Sequence, residues 1–324
     1  IHDGPYLAAW DLDSGEPLWS TERPDVAPSW ATPAIWTTPV GEELVVNASI
    51  IRGYDPASGE ELWSLSPTSV QVVASPVVGA ERLYVSSGYP PARPIYAVKP
   101  GIRGRHEIAR GAQDPALAWH RVRGGAYMPT PLLYRGLLYV VHHNGKLDAH
   151  DAATGGTLYR ERFSRGGTNT SSPVAANGFI YQGTEEGTLY VFAAGPEFRE
   201  LAVHDFGAPL MATPATDGEH LVVVFPTAGL ACLGTDGELH WKHELGGLNA
   251  GGFNDPGLEW GFAASPIIHA SKAILQVDIH DGPYLAAWDL DSGEPLWSTE
   301  RPDVAPSWAT PAIWTTPVGE ELVV

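Results

Sequence analysis

Apolar and polar residues alternate along most of this chain in short runs, as in ERLYVSS (81–87) and GLLYVVHH (136–143). No long stretch rich in Glu, Lys and Leu carries the helical period, so the runs predict strands. Between them stand turns of one recurring chemistry: DLDSGEPLW (11–19), DPASGEELW (55–63), DAATGGTLY (151–159), GTDGELHW (234–241) and DLDSGEPLW again (289–297). Asp or Ser caps the local backbone there, and Gly takes the positive φ that lets one strand double back into the next. A second landmark opens a strand with Ser or Thr before Pro: Thr32-Pro33, Ser75-Pro76, Thr130-Pro131, Ser172-Pro173, Thr213-Pro214, Ser265-Pro266 and Thr310-Pro311. Its spacings are 43, 55, 42, 41, 52 and 45 residues, so the repeat is a little over forty residues long and is enlarged twice. Pro is tolerated as the first residue of a strand, outside the ladder.

Each repeat reads as four strands: A with the Ser/Thr-Pro pair, B with an LYV-like run, C with YAL-like residues, and D ending in Trp or Tyr. Four strands in this length make one β-propeller blade. The predicted fold is all-β, a seven-bladed β-propeller of four-stranded antiparallel blades in a single domain spanning 1–324. Residues 30–66, 72–122, 127–163, 170–206, 210–245 and 262–300 form six complete blades. Residues 1–22 supply only strands C and D, and 308–324 only A and B. Joined, these half-blades predict a seventh blade that closes the ring and removes exposed strand edges. The ends are also duplicates: Ile1–Val46 and Ile279–Val324 are identical over 46 residues, whereas the other blades share only landmarks. That identity reads as a very recent duplication or an engineered, circularly permuted or blade-extended propeller.

Composition suits this fold, with 36 Gly, 29 Pro, 12 Trp, 12 Tyr and only 18% charged residues. A formal net charge of −19 argues against nucleic acid, whose binding needs clustered Lys and Arg. No apolar run approaches the ~20 residues that span a bilayer, and IHDGPYLAAWD lacks the basic start and apolar core of a signal peptide, so a soluble chain is expected. The single cysteine, Cys232, excludes an internal disulfide and a multi-cysteine zinc site. Its apolar setting, GLACLGTDG, predicts a buried, inert thiol.

Repeats of the form SPV…LYV…LYALD..TG..LW resemble the PQQ-like β-propeller repeat, and the whole chain resembles the BamB-like family, in its planctomycete and acidobacterial type. RPIYAVKPGIRG and LYRGLLYVVHHNGKLDAHDAATG carry the likeness most closely. The resemblance implies a periplasmic or envelope interaction module. Quinoprotein dehydrogenases share the repeat, and that class implies a vicinal Cys pair, a calcium site and a catalytic Asp. A vicinal pair is impossible with one cysteine.

The densest metal-like group is His142, His143, Asp148, His150 and Asp151. His142 and His143 are adjacent on a strand and must face opposite ways, so ordinary strand and turn roles are expected and no metal site is assigned. No catalytic or cofactor-binding residue is assigned either. Trp19, Trp63, Trp119, Trp241 and Trp297 recur in strand D, where an aromatic residue is core packing between sheets.

The candidate partner-binding residues lie in the enlarged loops and at the lead-in to strand A. Residues 101–118 concentrate Arg103, Arg105, His106 and Arg110 in an otherwise acidic protein, and so suit an anionic partner. Residues 246–262 are Gly-rich and place Phe253 and Trp260 toward a ring face. Trp30, Tyr127 and Met211 precede A strands, at the funnel of the ring. The expected function is a non-catalytic scaffold that binds a protein or a small anionic ligand at a ring face, in the periplasm or cell envelope. The alternatives are a quinoprotein-type or metal-dependent enzyme, and a self-assembling, domain-swapped propeller. A monomer is expected, although identical ends also allow swapping between chains.

Overall fold

The protein is described by a computed structural model covering residues 4–109, 111–225, 229–248, 250–251 and 262–324. Strands are the only regular elements among these residues, and none of them forms a helix long and apolar enough to cross a membrane. The chain divides into two compact units, Ile1–Arg160 and Glu161–Val324.

The first unit begins with a two-stranded sheet, β1 (Tyr6–Trp10) and β2 (Pro17–Glu22). An antiparallel meander follows: β3 (Ala34–Thr38), β4 (Gly41–Val46), β5 (Ile51–Tyr54) and β6 (Glu61–Ser66). The next sheet contains β7 (Val77–Val78), β8 (Leu83–Ser86), β9 (Ile95–Val98) and β11 (Leu117–Arg121). Between β9 and β11, the enlarged loop leaves its own sheet. There β10 (Gly104–Glu107) pairs parallel with β6, Gly104 opposite Trp63 and Glu107 opposite Ser66. A segment read as a loop is thus a fifth strand that covers the open edge of the preceding sheet. The covered β6 is buried along its middle, whereas the corresponding β15 is almost wholly exposed. The sheet β12 (Leu132–Tyr134), β13 (Leu137–His142), β14 (Lys146–Asp151) and β15 (Thr157–Arg162) completes this half of the chain.

The second unit holds three further four-stranded meanders. They are β16 (Val174–Ala176), β17 (Phe179–Gly183), β18 (Thr188–Ala193) and β19 (Glu200–Asp205); β20 (Ala215–Thr216), β21 (His220–Phe225), β22 (Gly229–Gly234) and β23 (Leu239–His243); and β24 (Ile267–His269), β25 (Lys272–Val277), β26 (Tyr284–Asp289) and β27 (Pro295–Glu300). A two-stranded sheet, β28 (Ala312–Thr316) and β29 (Gly319–Val323), ends it.

The core lies between neighbouring sheets. In the four-stranded sheets the second and third strands are the most buried, as in β18 (TLYVFA) and β22 (GLACLG). Val222, Val224, Leu230 and Cys232 of one sheet meet Ala273, Leu275, Val277 and Trp288 of the next. Burial pushes the Cys232 thiol up to about 12, so it stays protonated.

Within each unit, two sets of hydrogen bonds tie neighbouring sheets together, and both use the repeat landmarks. The backbone N–H of Thr32 donates to Ser75 Oγ (3.1 Å) and that of Ser75 to Thr130 Oγ1 (3.1 Å). In the second unit, Ser172 donates to Thr213 Oγ1 (3.1 Å) and Thr213 to Ser265 Oγ (3.0 Å). The hydroxyls of Ser75, Thr130, Thr213 and Ser265, each before a proline, therefore serve the neighbouring sheet. In the last strand of a meander, a ring reaches across to the next sheet's turn: the indole Nε1 of Trp19 donates to Pro56 O, that of Trp119 to Ala152 O, and that of Trp241 to Leu290 O (2.8–2.9 Å). Each indole lies where a glycine leaves room for it, at Gly59, Gly155 and Gly293, and all three glycines have positive φ. Trp63 departs from this rule because the enlarged loop replaces the turn it would meet. Its Nε1 donates to the buried Glu43 (2.7 Å) instead.

The identical end segments have complementary environments. In the first copy β1 and β2 lack two partner strands, and Trp10 is 51% exposed; its counterpart Trp288, inside a complete meander, is 6% exposed. The reverse holds further along. Trp36 and Val46 are buried in the first copy, while Val324, the counterpart of Val46, is exposed in the second.

Candidate functional site

Trp30, Tyr127 and Met211 lead into sheets that these bonds tie together. Trp30 is 64% exposed, and its backbone N–H donates to Val72 O (2.9 Å), which holds the lead-in to β3 against the lead-in to β7. Tyr127, before β12, is half-buried among aromatic rings, with centroids 5.3 Å from Tyr89 and 6.0 Å from His143. Met211, before β20, is also half-buried. All three lie two or three residues ahead of a Ser/Thr-Pro hydroxyl.

Arg103, Arg105 and His106 of the enlarged loop are engaged within the fold. Arg103 Nη1 bonds Glu43 Oε1 (2.6 Å), and Glu43 is the acid that also accepts from Trp63. Arg105 pairs with Glu107 beside it on β10 and remains exposed. His106 Nδ1 lies 3.0 Å from Asp114 Oδ1, with its Nε2 3.0 Å from Arg103 O. Arg103 thus fastens the loop to the sheet it covers and His106 ties the loop to itself, roles their clustering in sequence does not reveal. Arg110, Phe253 and Trp260 lie outside the described residues.

The His and Asp residues flagged by spacing split as strand geometry requires. His142 points to Asp148 (Nε2 to Oδ2 3.2 Å), and His143 points to Tyr127. Asp148 is fully buried and also accepts from Arg160 through Nε (2.8 and 2.9 Å) and Nη2 (2.7 Å). Burial alone would raise its pKa, but the hydrogen bonds from His142 and Arg160 prevail and hold it at about 2. His150 is buried alongside, with Nδ1 3.1 Å from Thr157 Oγ1. Burial, aided by the charge of Arg121, lowers its pKa to about 4, so the ring is neutral near pH 7. Arg160 was not marked by any motif, since its partner lies on another strand. Among the described residues no group of three His, Cys, Asp or Glu is arranged to hold a metal.

Comparison with known proteins places this architecture. The family described as "Outer membrane protein assembly factor BamB" matches residues 2–202. The chain belongs to the BamB family. BamB of Burkholderia pseudomallei (strain K96243) is 26% identical over 181 residues, which cover 55% of this chain and 43% of that protein; the match thus spans under half of the relative's length. Among solved structures, BamB from Moraxella catarrhalis is similar at a TM-score of 0.62 and 14% identity, covering 95% of this chain and 83% of that one. The computationally designed Ika8 protein gives 0.64 at 12% identity, over 96% and 85%. Quinohemoprotein alcohol dehydrogenase from Comamonas testosteroni gives 0.65 at 12% identity, over 95% and 66%. At such identities the likeness establishes fold alone. The fold is a PQQ-like β-propeller with four-stranded antiparallel blades, as the BamB-like repeat implied.

Proposed function

We propose that this chain is a non-catalytic propeller scaffold that docks proteins in the bacterial cell envelope, in the service of outer-membrane protein assembly. Membership of the BamB family carries the reading. The chemistry of the chain supports it: the only cysteine is buried and inert, and Asp148, His142 and Arg160 satisfy one another. Docking is assigned to the A-strand lead-ins, at Trp30 and Tyr127 in the first unit and at Met211 in the second, each just ahead of a Ser/Thr-Pro hydroxyl. The test supplies the chain to the periplasm of a Gram-negative host lacking its own BamB and measures folded outer-membrane proteins. Restored levels that fall again with Trp30→Ala support the reading. Unchanged levels, with a purified protein that absorbs as a quinone, overturn it.

The blade count we propose is seven, in one domain over 1–324, with half-blades 1–22 and 308–324 completing each other. The exposures of the duplicated segments support this: each copy leaves bare the half that the other needs. Solution mass and hydrogen exchange provide the test. Closure within one chain gives 34.7 kDa at every concentration, with slowly exchanging amides in β1 and β29. Mass that grows with concentration overturns closure within the chain in favour of swapping, and fast exchange in both strands overturns closure altogether.

A further inference from the structure

In the first unit a cleft of about 390 Å³ opens beside the β13–β14 hairpin. Its polar lining includes Arg93, Arg123, His142, Lys146, Asp148 and Arg160. The concentration of cations is notable in a chain with a formal charge of −19. Asp148 is the acid of this lining, and it is fully buried and committed to His142 and Arg160. Arg93, Arg123 and Lys146 have no carboxylate within ion-pair distance among the described residues.

Three uncompensated cations around one small cleft repel each other, and a bound anion relieves that repulsion. Each guanidinium offers two parallel N–H donors matched to the oxygens of a phosphate or carboxylate, and the ammonium adds a point charge. The floor is rigid, because Arg160 is clamped through two nitrogens by a buried carboxylate. The volume lies at the lower end of the ~300–1,000 Å³ of small-molecule sites.

We propose that this cleft binds a small, multiply charged oxyanion, with Arg93 and Arg123 as its two arms, Lys146 as a third charge and Arg160 as the fixed floor. The site is independent of the scaffold reading, and its lining includes neither Trp30 nor Arg103, Arg105 or His106 of the enlarged loop. Its ligand is the kind of anion the loop 101–118 suggested from sequence, received instead by cations that the fold leaves unpaired.

Isothermal titration at low ionic strength, with pyrophosphate and citrate as separate probes, tests the site. Saturable binding of one equivalent is expected, weakening as NaCl rises. Loss of one charge-assisted contact in Arg93→Gln or Arg123→Gln weakens it about tenfold or more. Arg105→Gln, a change at an exposed arginine elsewhere, leaves it unaltered. Binding of pyrophosphate alone assigns a phosphate-bearing ligand, binding of citrate alone assigns a polycarboxylate, and either supports the site. No saturable heat with either probe overturns it, as does equal weakening by Arg105→Gln. Unchanged circular dichroism and melting temperature of the variants keep loss of binding distinct from loss of fold.

Discussion

Trp119 lies flat against Gly155, with its indole Nε1 2.9 Å from Ala152 O in the turn of the neighbouring sheet. The glycine is required twice over. Its φ of +73° strains any L side chain, and an added Cβ would stand 2.5 Å from Trp119 Cδ2. Gly155→Ala is expected to lose about 3 kcal/mol, roughly 1–2 from the left-handed backbone and the rest from displacing the indole. Gly136→Ala serves as the control, because its φ is +77° and nothing lies within 4 Å of the added carbon. It is expected to lose only the backbone share, about 1–2 kcal/mol. Urea denaturation of the two variants measures the difference.

Acid stability follows from Asp148 and His150. The pKa of His150 falls from 6.5 to about 4 on folding, so the unfolded chain takes up this proton first as pH drops. Its contribution is present above about pH 6.5 and is lost as pH falls toward 4, at a cost of about 3 kcal/mol at 1.36 kcal/mol per unit. Asp148 adds a second loss, of about 2 kcal/mol, between its ordinary 3.8 and its folded value of about 2. Denaturation midpoints from pH 7 to pH 3 are expected to fall in two stages. His150→Gln removes the first stage and retains the second.

The strands were legible because their signal is local. Alternation marks ERLYVSS and GLLYVVHH, a turn glycine marks each C–D hairpin, and the period of two correctly separates His142 from His143. The functions of the landmarks were not legible, because their partners lie a whole repeat away. Thr32-Pro33 reads as the start of a strand, yet its N–H seeks Ser75, 43 residues on. Arg103 reads as a free cation, yet its acid is Glu43, 60 residues back. Arg93 and Arg123 belong to different connections, Lys146 opens β14, and the three carry no shared spacing, so only the fold gathers them.

The bonds between sheets also make a prediction at Thr213. Its Oγ1 accepts from Ser172 N–H, while its own N–H donates to Ser265 Oγ. Thr213→Val keeps the shape but leaves the Ser172 donor without its acceptor, at about 1–2 kcal/mol. Thr213→Ser keeps the hydroxyl and is expected to lose less. A greater loss in Thr213→Ser than in Thr213→Val would assign the effect to the methyl group rather than to the hydrogen bond. Thermal melts of both proteins decide between them.

Gly15 and Gly59 occupy the same place in two copies of one turn, and they carry the sharpest test of the seventh blade. Gly59, at φ +73°, receives Trp19, whose Nε1 bonds Pro56 O. Gly15, at φ +70°, has nothing within 4 Å of an added carbon, and Leu12, the counterpart of Pro56, is 71% exposed. Trp297 is the duplicate of Trp19 and is 37% exposed. If the half-blades join as proposed, Trp297 settles on Gly15 and donates to Leu12 O. Gly15→Ala then costs about as much as Gly59→Ala, near 3 kcal/mol. If they stay apart, Gly15→Ala costs only the backbone strain of about 1–2 kcal/mol, and Trp297→Ala is nearly neutral, as for an exposed side chain. Denaturation of the three variants, at a concentration where the wild-type chain is monomeric, separates the closed propeller from the open one.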